Sequence, residues 1–126
     1  MRNIGAFACF VLAGLATPAV AGPGDMNVAT FLAKADALKA RGMGALGSPD
    51  IKLLYGEANA AGKTYRETIA ADKKAGHTPH SCPPKTASLN SEQLLAHLRT
   101  YPAAVRPKTT ITTAMFDAMK KRYPCT

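Results

Sequence analysis

The chain of 126 residues is 47% hydrophobic, 19% charged and only 6% aromatic, which is enough for one small domain and too little for two. Past Ala21 no apolar run approaches the roughly 18 to 20 residues of a membrane-spanning helix, so composition argues against an integral membrane protein, a disordered tail and a multidomain enzyme. Sixteen Lys and Arg against eight Asp and Glu give a charge of +8; the basic residues are dispersed, Trp is absent and Phe and Tyr are few, a pattern that speaks against nucleic acid and for acidic partners or an anionic envelope.

Residues 1–21 read as a signal peptide. Arg2 supplies the positive start, Ile4 to Leu15 the apolar stretch, Thr17-Pro18 the helix break and Ala19-Val20-Ala21 the small-x-small cleavage pattern. Cleavage after Ala21 leaves one domain, 22–126, exported to the periplasm. The competing reading is an uncleaved anchor, for which the stretch is short. Cys9 lies inside the apolar stretch rather than after it, which argues against a lipoprotein. Loss of Cys9 leaves two cysteines, Cys82 and Cys125. An even pair in an oxidising compartment reads as one disulfide. Its loop spans 125 minus 82, or 43, steps of chain, and closure of such a loop is worth about 4 kcal/mol in the chain-entropy account.

The exported portion reads as four helices. Gly22 to Met26 forms a short flexible lead. Asn27 caps a first helix from Val28, with Phe31, Leu32, Ala35 and Leu38 at helical spacing, and Gly42, Gly44 and Gly47 end it. Ser48-Pro49-Asp50 restarts the chain as a helix: a capping hydroxyl, a proline at the first helical position and an acid near the positive end. Ile51, Leu54, Tyr55, Ala58, Ala61, Tyr65 and Ile69 then keep one stripe as far as Lys73-Lys74 and the stop at Gly76. Its small residues Gly56, Ala58, Ala60, Ala61 and Gly62 either admit a neighbouring helix closely or mark a bend near Gly62. His77 to Ala87, with Pro79, Pro83 and Pro84, cannot be helical. Asn90 and Gln93 form a capping box for a third helix with Leu94, Leu95 and Leu98 inward, and Leu89 staples against Leu94. After Tyr101-Pro102 and a basic connector, Thr109 or Thr110 caps a last helix striped by Ile111, Ala114, Met115, Ala118 and Met119. The fold class is therefore all-α: a small four-helix domain in which Cys82 and Cys125 staple a C-terminal hairpin.

Catalytic patterns are sparse. The sequence holds no nucleophile motif, phosphate-binding loop or zinc-protease signature. Glu57 and Glu67 are ten apart and are expected to face solvent; His97 is expected on a polar side of the third helix. A zinc alternative exists in His77, His80, Cys82 and Cys125, two imidazoles and two thiolates suited to a tetrahedral ion. However, His-x-x-His-x-Cys is not an established zinc spacing and export favours oxidation. Neither a metal nor another cofactor is expected.

Leu54-Tyr55-Gly56 on a long helix, Cys82-Pro83-Pro84, Leu94 to Leu98, Tyr101-Pro102 and a terminal Tyr123-Pro124-Cys125 together resemble the Rap/Tai family over roughly Ile51 to Cys125. Those are small periplasmic immunity proteins of type VI secretion. The resemblance implies a helical fold, a disulfide between comparable cysteines, frequent homodimerisation, no enzymatic activity and steric blockade of a peptidoglycan amidase. Two segments suit such docking: His77 to Lys85, carrying His77, His80 and Lys85, and Pro102 to Lys108, with Arg106 as an anchor and Lys108 beside it. Two other classes remain, an envelope or stress binding protein without a toxin partner and a structural subunit of an envelope complex. Intact mass of the exported protein is expected to start at Gly22, with no free thiol titrating even after chelation; two reactive thiols would exclude the disulfide.

Overall fold

A computed structural model describes residues 22–126, so the signal segment lies outside the described residues. Within them are four α-helices, α1 (Val28–Arg41), α2 (Pro49–Lys74), α3 (Ser91–Arg99) and α4 (Ile111–Arg122). Two 3-10 turns, Gly42–Ala45 and Arg106–Lys108, join α1 to α2 and α3 to α4. No strand occurs among the described residues; the only β-type contact there is a single antiparallel bridge between Asn27 and Thr110.

The caps form where short polar side chains precede each apolar stripe. Asn27 accepts from the Thr30 amide, Ser48 from Asp50, Asn90 from Gln93 and Thr110 from Thr113, each satisfying a donor with no intrahelical partner. Gln93 also returns its side-chain oxygen to the Asn90 amide at 3.1 Å, completing the capping box. Gly76 ends α2 at a φ of +72°, a conformation that a Cβ makes costly.

The core is one cluster drawn from all four helices: Val28, Phe31 and Leu32; Leu54, Ala61, Tyr65 and Ile69; Leu94 and Leu98; Ile111, Ala114, Met115 and Met119. Helix α4 packs chiefly on α2, and α1 touches the other three. The expected stripe on α4 is buried throughout. On α2 the buried line runs Leu54, Glu57, Ala61, Tyr65 and Ile69, whereas Tyr55 lies 60% exposed. Four of the seven expected stripe residues, Leu54, Ala61, Tyr65 and Ile69, are thus buried and Ile51 and Ala58 are half-buried; the departures are the exposed Tyr55 and a carboxylate that sits in the line.

That carboxylate corrects two expectations at once. Glu57 is buried rather than solvent-facing, and the lead 22–26 is docked rather than loose. Glu57 Oε2 accepts from the amides of Gly24 at 2.7 Å and Met26 at 3.1 Å. The carbonyls of Gly24 and Met26 in turn accept from the Thr112 and Ile111 amides at 3.0 and 2.9 Å, while the Val28 amide donates to Thr109 at 2.8 Å. The first turns of α1 and α4 therefore cap one another through this segment. Gly24 adopts a φ of +96°, and a Cβ there would stand 2.6 Å from Thr112 Oγ1. Its backbone lies against Ala60 and Ala61. Ala60 and Ala61, midway along α2, thus admit the lead, while Ala61 also belongs to the core in which α2 packs on α4.

Glu57→Ala leaves two amides without their charged acceptor and is expected to destabilise the domain by about 2 to 3 kcal/mol. The melting temperature should fall by roughly 10 °C or more, with Glu57→Gln closer to the parent. A melting temperature unchanged in Glu57→Ala would show that the lead is not held this way.

Candidate functional site

The connector between α2 and α3 is proline-rich and without regular structure, yet it is tied down at successive residues. Cys82 and Cys125 are bonded, with Cα atoms 5.0 Å apart, and the Cys82 amide donates to the Tyr123 carbonyl at 2.8 Å. Ser81 is fully buried, its hydroxyl 2.5 Å from Tyr65 Oη. His80 meets Phe116 edge-on at 5.2 Å, and Phe116 meets Tyr65 in the same manner at 5.2 Å. On either side of these anchors the chain turns polar side chains outward. His77 and Lys85 are exposed and His80 is half-buried, while both cysteines lie at the surface. Because the sulfurs are bonded to each other, the zinc alternative has no thiolate to offer. Among the described residues, no group of three or more His, Cys, Asp and Glu converges as for a metal ion.

The other expected docking segment has a different character. The half-buried Arg106 guanidinium donates to the Tyr101 carbonyl at 2.8 Å and the Arg99 carbonyl at 3.0 Å. It neutralises the negative end of α3, where helix carbonyls lack partners. Lys108 is exposed. The two segments sit at opposite ends of α4, whose twelve residues span about 18 Å. They do not form one patch.

A groove of about 650 Å³ opens between α1, α2 and the wall formed by the connector and α3. Its floor includes Phe31, Leu54, Ile69, Leu94 and Met119, and Pro83 to Lys85 form part of the wall. Arg66, Lys73 and Lys85 supply its charged lining, and no Asp or Glu lines it. Ala58 and Gly62 leave space on the α2 side. A Cβ at Gly62 would meet only the Arg66 guanidinium, at 3.3 Å. Ala58 and Gly62 therefore make room on this side, while Ala61 is buried in the core where α2 meets α4. The sequence carried a signal for this: small residues on α2 beside Arg66 and Lys73, seven apart and so on one side of the helix.

His97 is part-buried, with Nε2 3.3 Å from Tyr101 Oη, which donates to Asp117 at 2.5 Å. Since the Tyr101 proton is committed to Asp117, the His97 contact requires the proton on Nε2. Burial first, then the hydrogen bond and charge of Asp117, push the Tyr101 hydroxyl well above its ordinary value. It is held protonated as a bridge between α3 and α4, not poised as a nucleophile. Burial lowers the His97 value, opposed by the Asp117 charge and assisted by Lys121. On the solvent side, Arg99 reaches Asp36 at 2.7 Å and, chiefly through that hydrogen bond, holds the carboxyl below its usual range.

Comparisons with models of protein families, with curated proteins and with solved structures found no match to this chain.

The lowered His97 value means that the unfolded chain binds this proton more readily than the folded one. The contribution of His97 is therefore expected to be intact above about pH 6.5, the ordinary histidine value, and to be lost as pH falls from there through the folded value. NMR titration should find His97 below 6.5, and His97→Gln should flatten the slope of stability in that window. A His97 value at or above 6.5 would contradict the assignment.

Proposed function

We propose that this chain is an exported, non-catalytic binding protein that occupies and sterically blocks a peptidoglycan amidase, in the manner of the Rap/Tai immunity proteins its motif order resembles. The observation that carries this reading is the connector from His77 to Lys85. It is anchored by a disulfide, a buried serine and an aromatic stack while His77 and Lys85 stay exposed. Such a loop is ordered before it meets a partner and loses little conformational entropy on docking. An inhibitor needs no turnover, only a rigid wedge that fills a catalytic groove and excludes cell-wall peptide. The exposed Lys85 favours a target with an acidic cleft. A second reading, an envelope binding protein with no toxin partner, draws support from the apolar groove with its cationic lining.

Capture from envelope extract with the disulfide-bonded protein, followed by mass spectrometry, is expected to recover a cell-wall amidase, and added protein should inhibit it. His77→Glu with Lys85→Glu should weaken that inhibition by about tenfold, as expected when two acids are placed on a surface facing an acidic cleft. Recovery of lipopolysaccharide or assorted clients alone would overturn the inhibitor reading.

A further inference from the structure

The groove between α1, α2 and the connector separates two kinds of surface. Its floor is made of aliphatic and aromatic side chains, among them Phe31, Leu54, Ile69 and Leu94. The charged residues lining it are all cations, Arg66, Lys73 and Lys85, and all three are exposed. Among the described residues none of the three is engaged in an ion pair, although Lys34, Lys63 and Arg99 each hold a carboxylate. Three uncompensated positive charges over an apolar trough describe a receptor for a molecule with a hydrocarbon tail and an anionic head. From this we infer that the groove binds a single-chain fatty acid, its tail on the apolar floor and its carboxylate among Arg66, Lys73 and Lys85.

Size and chemistry both suit this occupant. The volume of about 650 Å³ falls within the range of small-molecule sites. An alkyl chain needs no hydrogen bonds from the floor, which is where this groove offers few. At the rim, arginine matches a carboxylate through two parallel N–H donors, and Arg66 lies over Gly62, where a Cβ would press against its guanidinium at 3.3 Å. Seven residues separate Arg66 from Lys73, about 10 Å along the helix, so the head can be met by one or the other with Lys85 from the opposite wall. The site shares Lys85 with the surface of the inhibitor reading, but Arg66 and Lys73 lie on α2, so charge reversal there tests the groove with the connector unchanged.

The test is titration of the full chain, disulfide intact, with sodium dodecanoate below its micelle concentration, followed by NMR and calorimetry. Dodecyltrimethylammonium, with the same tail and the opposite charge, is the control. Saturable one-to-one binding of dodecanoate is expected, at least tenfold tighter than the control, with shifts at Ala58, Gly62, Ile69 and Leu94. Arg66→Glu with Lys73→Glu changes two exposed side chains and should weaken binding about tenfold at an unchanged melting temperature. Ala58→Phe, which fills the trough, should weaken binding of either surfactant. Absence of saturable binding, equal affinity for the two surfactants, or undiminished affinity in the charge-reversed variant would overturn the inference. So would saturable binding of an acidic amphipathic peptide with none of dodecanoate. Capture or non-capture of an amidase leaves each of these readouts unmoved.

Discussion

The bond between Cys82 and Cys125 sets the geometry on which the rest of the surface depends. It holds the C-terminal end of α4 against a connector that has no helix or sheet of its own to keep it in place. Beside it, the Cys82 amide donates to Tyr123, and Ser81 reaches Tyr65 on α2. Covalent link, backbone bond and buried hydroxyl act within two consecutive residues. A stretch with three prolines thereby becomes a fixed wall. The exposed His77 and Lys85, and one side of the apolar groove, inherit their positions from that wall. Closing 43 steps of chain also removes conformational freedom from the unfolded state, worth about 4 kcal/mol in the entropic account. That is a large part of the 5 to 15 kcal/mol or so that holds a typical domain together.

At the other end of α4 the same problem is solved without a covalent bond. The lead from Gly24 to Val28 lies between Glu57 and the first turn of α4, and each amide and carbonyl involved finds a partner there. A buried carboxylate is costly unless hydrogen bonds surround it. Two backbone amides supply them here, and the charge strengthens both. The two ends of α4 are thus fastened by different chemistry, one by sulfur and one by a carboxylate that turns chain into cap. Between them the apolar stripe of α4 consists of one isoleucine, small side chains and methionines, with Phe116 beside it meeting Tyr65 of α2 edge-on.

The polar features of the surface divide by what they touch. Arg106 spends its donors on the carbonyls that end α3, and Tyr101 joins His97 to Asp117 between α3 and α4. These groups stabilise helix ends and contacts. Arg66, Lys73 and Lys85 are different in kind, since among the described residues they are cations in no ion pair beside an apolar trough. Exposed groups that stabilise nothing internal are where binding is to be sought.

Element starts were legible in the sequence because each depends on a few adjacent residues. Asn27, Ser48, Asn90 and Thr110 cap where a short oxygen-bearing side chain precedes an apolar stripe, and glycines close α1 and α2 by local backbone freedom. The all-α class and the cysteine pair followed from the same local signals, namely spacing, capping and an even count of sulfurs. Burial on α2 was less legible. Its centre follows the expected stripe, but whether Tyr55 or Glu57 turns inward at its edge is settled only once α4 and the lead are in place. Glu57 looks like any solvated acid until the amides of Gly24 and Met26, more than thirty residues away, are brought to it. The groove was only partly legible for a similar reason: small residues beside Arg66 and Lys73 mark one side of it, but its floor and walls come from all four helices and the connector. Spacing along one segment determines what that segment becomes; what a surface offers is decided by segments that meet only after the chain has closed on itself.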